Sequence, residues 1–149
     1  MIVPQMGKTA AERRTKIFIT GGLRTISAIA KALHIVDAIG IARLAAQEPW
    51  IARDFLSGKV SGAIQPRGPF DNDSVLSNGM AGAQLRQVAS GFMPFNSSDE
   101  KAIGVYLEDK SMHGAAASND TDRSLPWFLK VSGESLSYDG SGNFAGQGA

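Results

Sequence analysis

Cysteine is absent from this chain of 149 residues. That rules out a disulfide framework, a zinc–thiolate site and a cysteine nucleophile. The lack fits a reducing compartment, so the expected location is cytoplasmic. Charge of one sign is also missing: 15 Lys and Arg against 14 Asp and Glu leave a formal +1. This balance gives no electrostatic footprint for nucleic acid or an anionic membrane, and neither is an expected partner. No apolar run approaches the roughly 18 residues of a membrane span. The start, Met1-Ile2-Val3-Pro4-Gln5-Met6-Gly7, lacks the charged-then-apolar order of a secretory signal. No carboxylate pair, metal-ligand cluster or nucleophile elbow can be defended.

Glycine is abundant instead, with 17 residues, where an average chain has about 7%. Two segments carry most of the information. They are Ile17-Phe18-Ile19-Thr20-Gly21-Gly22-Leu23-Arg24-Thr25 and Val36-Asp37-Ala38-Ile39-Gly40-Ile41-Ala42-Arg43. Each reads as a short apolar strand that enters a small-residue turn containing an Arg, with a helical stretch after it. Two such units in succession predict consecutive units of a parallel α/β fold.

Thr25 or Ser27 is placed to cap a helix over 26–33, whose Ile26, Ile29, Ala30 and Leu33 share one face. The run 35–41, broken only by Asp37, suits a strand buried on both faces of a parallel sheet. Asp37 is then either paired or near the strand's edge. Pro49 fits the first turn of a helix through Trp50, Ile51, Phe55 and Leu56, stopped by Gly58. Residues 8–15 are polar and helix-compatible, with Arg13, Arg14 and Lys16 as a solvated face rather than a transit segment.

Residues 57–79 read as loop, with Asn78-Gly79 preceding a helix over 81–89 that Gly91 ends. Ser98-Asp99-Glu100 starts a helix to about Met112, with Ile103, Tyr106 and Leu107 on one face. Tyr106 reads as packing. His34 and His113 read as structural residues at helix ends. From Gly114 the pattern fades, and the Gly/Ser-rich stretch from Ser132 predicts disorder. Trp127-Phe128-Leu129 is an apolar island with no evident role.

A strand-loop-helix unit gathers unpartnered backbone N–H groups around its loop, where the helix dipole favours an anion. Gly21 and Gly22 permit unusual φ values and put no side chain in a ligand's way. Arg43 offers a guanidinium fork for phosphate oxygens. Barrels of the (β/α)8 type hold phosphate in the loops after strands seven and eight. Plainer readings stand beside this one. Gly21-Gly22 is also an ordinary tight turn, Arg43 is within reach of pairing with Glu48 or Asp54, and Arg24 reads as structural.

Thr20-Gly21-Gly22-Leu23-Arg24-Thr25 and Ile39-Gly40-Ile41-Ala42-Arg43-Leu44-Ala45-Ala46-Gln47-Glu48-Pro49 resemble the end of the barrel in fungal members of the old yellow enzyme family. These are FMN-dependent NADH:flavin oxidoreductases. Gly82-Ala83-Gln84-Leu85-Arg86-Gln87 and Pro94-Phe95-Asn96-Ser97-Ser98-Asp99-Glu100 are similar to that family's C-terminal segment. The likeness covers roughly residues 15–113.

The resemblance implies an α/β chain formed as the C-terminal fragment of a (β/α)8 TIM barrel. Strands seven and eight with their helices would fill 1–66, a helical segment 67–113, and an irregular or disordered tail 114–149. It implies FMN as cofactor, its phosphate held by Gly21, Gly22 and Leu23 on one side and by Ala42 and Arg43 on the other. NAD(P)H would be the reductant, and an activated alkene or a quinone the acceptor. Ala42 stands where the family usually has Gly, and Leu44 where it usually has Pro. The family's acceptor-polarising His-His or His-Asn pair and its proton-donating tyrosine belong to earlier strands, so no catalytic residue is expected here. The expectation is a truncated chain, inactive alone. The alternatives are a non-catalytic remnant, a partner completing a split barrel, or another phosphate-binding barrel of aldolase or isomerase type.

Overall fold

The computed structural model describes residues 11–133 and residue 137. Strand β1 (Phe18–Thr20) pairs in parallel with β2 (Ala38–Gly40), with Ile19 opposite Ile39. A parallel pair needs a crossover, and helix α1 (Ile26–Leu33) supplies it. Thr25 is its N-cap, and Thr25 Oγ1 accepts the Ala28 N–H at 3.2 Å. Helices α2 (Arg43–Gln47) and α3 (Ile51–Leu56) follow β2, then a 3-10 turn at Gly68–Phe70. Helices α4 (Ser74–Ala89) and α5 (Glu100–Asn119) complete a mixed α/β arrangement.

The sheet has two strands among the described residues, and it lies open. Phe18 is 69% exposed and Ile19 41%. The strand expected over 35–41 is confined to Ala38–Gly40 and is half-buried rather than covered on both faces. A parallel strand is buried on both sides only where neighbouring strands and two helical layers enclose it. Here α1 lies against β2, and β1 faces water.

The apolar core forms elsewhere, between α4, α5 and the segments beside them. Tyr106 is its centre, fully buried, stacked on Phe95 with ring centroids 5.3 Å apart and edge-on to Phe70 at 5.8 Å. Burial raises the pKa of its phenol. Leu129 and Val131 join this core, which gives the Trp127-Phe128-Leu129 island its purpose. The Phe128 ring lies where a Cβ on Gly82 would stand, and Trp127 remains in solvent.

Several local expectations are corrected. Residues 11–15 form turns rather than helix. Arg13 is buried, not solvated: its Nη2 donates to the Ile35 carbonyl at 3.0 Å and to Asp37 Oδ2 at 3.2 Å. Pro49 separates α2 from α3 instead of opening one helix. It drives the preceding Glu48 out of the helical region, to φ −133° and ψ 81°. Gly58 follows the C-cap of α3 at φ +72°, as its position predicts.

Helix α4 begins at Ser74, well before the expected start, because Asp73 caps it by accepting the Val75 and Leu76 N–H groups at 2.9 Å each. Asn78 and Gly79 are therefore helical. Helix α5, capped by Asp99 on the Lys101 N–H at 3.0 Å, runs past Gly114 to Asn119, which leaves His113 inside it. The predicted disorder from Ser132 onward falls mostly outside the described residues, as do residues 8–10 of the predicted N-terminal helix.

Candidate functional site

The parallel register sets Thr20 opposite Gly40, so the loops leaving both strands emerge side by side. That closeness depends on glycine at 40: a Cβ there would come within 2.5 Å of Thr20 Cγ2. Gly21 at φ +85° and Gly22 at φ +75° turn the first loop back toward α1. A Cβ on either would meet open space. Backbone conformation, not crowding, calls for glycine there.

The two loops line a cleft of about 330 Å³. All five residues singled out as cofactor contacts border it: Gly21, Gly22 and Leu23 on one side, Ala42 and Arg43 on the other. Thr20, Arg24, Gly40, Ile41 and Leu44 complete the loop walls, and Asn78 enters from α4. Sequence reasoning missed Asn78, because Asn-Gly carries a turn signature and gives no hint that α4 packs over the cleft. Ala42 sits at φ −119°, outside the left-handed region. The backbone at this position therefore does not demand glycine.

Arg43 pairs with neither expected carboxylate. Its Nη1 donates to the hydroxyl of Ser77, a residue 2% exposed on α4. Asp54 instead pairs with Arg53 at 3.2 Å and Lys59 at 3.7 Å. Glu48 Oε2 accepts the Ile64 N–H at 2.7 Å. Arg24 behaves as a structural residue, donating Nη1 to the Ile64 carbonyl at 3.0 Å and pairing Nη2 with Asp71 at 3.2 Å. Gln47 Nε2 also donates to the Ile64 carbonyl, at 2.9 Å, and buried Ser97 donates to Gln47 Oε1. Desolvation raises the pKa of Glu48, partly offset by the bond from Ile64.

Asp37 precedes β2, at the end of the sheet away from the cleft. It is paired: it accepts the Ile17 N–H at 2.9 Å and meets Arg13 and Lys16, each at 3.2 Å. The bond from Ile17 leads the causes that lower its pKa. His34 is the exposed C-cap of α1, and neither histidine borders the cleft. Among the described residues no group of three or more His, Asp or Glu is placed to hold a metal ion. No described helix is long and apolar enough to cross a membrane.

No family model matches the chain. Over 90 residues it is 36% identical to the NADH-dependent flavin oxidoreductase nadA of Aspergillus parasiticus. The similarity is to a flavin enzyme. It covers 60% of this chain and 20% of that protein, so the chain spans about a fifth of the length of the curated relative it matches.

Proposed function

We propose that this chain is the phosphate-holding end of an FMN-dependent NADH:flavin oxidoreductase of the old yellow enzyme type. In this reading its two strand-loop-helix units are the last two of a (β/α)8 barrel. The reading rests on one observation: Gly21, Gly22, Leu23, Ala42 and Arg43 converge on a single cleft at the C-terminal ends of parallel strands. Barrels use that edge for phosphate. The similarity to a flavin oxidoreductase supports flavin as the bearer of the phosphate. The residues fit the group, because both glycines leave open space and the Ala42 backbone is unstrained.

When bound, FMN supplies the hydride chemistry between NAD(P)H and an activated alkene or quinone. The chain's own residues bind and orient. The glycine loop lets backbone N–H groups approach the phosphate, and Arg43 answers its charge. Arg24, tied to Ile64 and Asp71, holds the first loop in place. Among the described residues that border the cleft there is no histidine and no tyrosine, and the reading gives the chain a binding role with no turnover of its own.

Flavin fluorescence titration of the purified chain tests this. The expected result is binding of FMN at least about tenfold tighter than riboflavin, with no NADH oxidation by the mixture. No binding, or equal binding of both flavins, overturns the reading. A second reading, a non-catalytic remnant that completes a split barrel, draws on the exposure of Phe18 and Ile19. It predicts co-purification with a larger chain and no flavin in the isolated one.

A further inference from the structure

Helix α4 flanks the cleft that the two loops form. Asn78 borders it, and the adjacent Ser77 takes Arg43 Nη1 on its hydroxyl from outside the cleft wall. The same hydroxyl donates to the Ser74 carbonyl at 3.3 Å, which leaves its lone pairs for the guanidinium. A guanidinium carries five N–H donors. With Nη1 held by Ser77, the Nε and Nη2 donors of Arg43 have no protein partner among the described residues. That edge matches two oxygens of a phosphoryl group.

The other arginine of the cleft cannot serve in this way. Both terminal nitrogens of Arg24 are engaged, one by the Ile64 carbonyl and one by Asp71, and Asp71 balances its charge. Arg43 is thus the uncompensated cation of the cleft among the described residues. A long side chain loses rotamer freedom when it grips a ligand. Ser77 removes much of that loss before any ligand arrives.

We propose that Ser77 is a positioning residue that presents Arg43 to a phosphomonoester dianion, and that Asn78 adds a side-chain contact to the same group. This rests on the phosphate reading of the cleft. It assigns part of the site to a helix that follows both strand-loop-helix units in the chain. Ser77 acts on the charged group alone, so it governs preference for a phosphorylated ligand over its uncharged counterpart.

Titrations of the chain with FMN, riboflavin and inorganic phosphate separate the outcomes. Ser77→Ala is expected to weaken FMN by about tenfold, the scale of one hydrogen bond to a charged group, and to leave riboflavin unchanged. Ser77→Thr keeps the hydroxyl and restores the preference. Asn78→Ala weakens FMN less, again without touching riboflavin. Wild-type affinity for FMN in Ser77→Ala, or an equal fall for both flavins, overturns the proposal.

The Arg43 Nε–H resonance reads the same device without flavin. It is expected to shift with inorganic phosphate in the wild type and to need about tenfold more phosphate in Ser77→Ala. If the wild type ignores FMN but shows this shift, the flavin reading fails while the phosphate device stands. No shift with phosphate in a wild type that also ignores FMN overturns both.

Discussion

Glu48 Oε2 accepts the Ile64 N–H at 2.7 Å from a side chain almost wholly out of water. The preceding residue, Gln47, holds the carbonyl of the same Ile64 at 2.9 Å, and Arg24 donates to that carbonyl at 3.0 Å. Ile64 is therefore gripped both from the first loop of the cleft, through Arg24, and from the C-terminal end of α2. Strand pairing sets the two loops side by side, and Ile64 ties the first of them to α2. Glu48→Ala leaves a part-buried N–H without its partner, at a cost of about 1 kcal/mol. Urea denaturation reads that loss, and FMN affinity is expected to fall with it.

The same carboxyl makes stability depend on pH. Burial raises the Glu48 pKa above its ordinary 4.5, so the folded state holds the proton more tightly than the unfolded state. Its contribution is fully present below that ordinary value and is lost as pH rises through the raised one. Glu48→Gln is expected to flatten denaturation free energy against pH just above 4.5.

Asp37 runs the other way. The Ile17 N–H, with help from Arg13 and Lys16, lowers its pKa below the ordinary 3.8. Its contribution is present above 3.8 and is lost as pH falls through the lowered value. Asp37→Asn therefore removes part of the acid limb of the stability curve, and leaves the limb that belongs to Glu48 unchanged.

Gly40→Ala places a methyl group against Thr20 Cγ2. Thr20 is exposed and Gly40 half-buried, so the cost is expected at or below about 1 kcal/mol, the low end for overpacking. Thr20→Ala in the same chain removes the obstructing methyl and is expected to restore most of the loss. Additive losses in the double-mutant cycle would show that the two residues do not meet.

Gly82→Ala makes the same test in the core, where the new methyl collides with the Phe128 ring. Displacing Phe128 strains the path to Leu129 and Val131, so the transition midpoint drops. Replacing Phe128 by Ala in the same chain recovers it.

The two strand-loop-helix units were legible because their signals are local: a capping Thr25, paired glycines, and an apolar face at 26–33. Arg13 was not, since its partners lie 22 and 24 residues away and nothing near it in sequence marks it as buried. Helix α4 hid its first turns because it buries Ser77, Gln84 and Gln87 along with its apolar residues, which blurs the period that betrays a helix. Leu129 and Val131 belong to no periodic element. The loop residues of the cleft could be named from sequence, but Asn78 reaches it, and Ser77 reaches Arg43, only through the packing of α4 on α2.

The brevity of the sheet has a colloidal consequence. Each strand spans three residues, so an open edge offers few backbone rungs to a neighbour, and short edges are how proteins avoid templating fibrils. What β1 exposes is oily side-chain surface rather than a long ladder. Self-association through it is expected to yield small, salt-tolerant clusters that a mild detergent disperses.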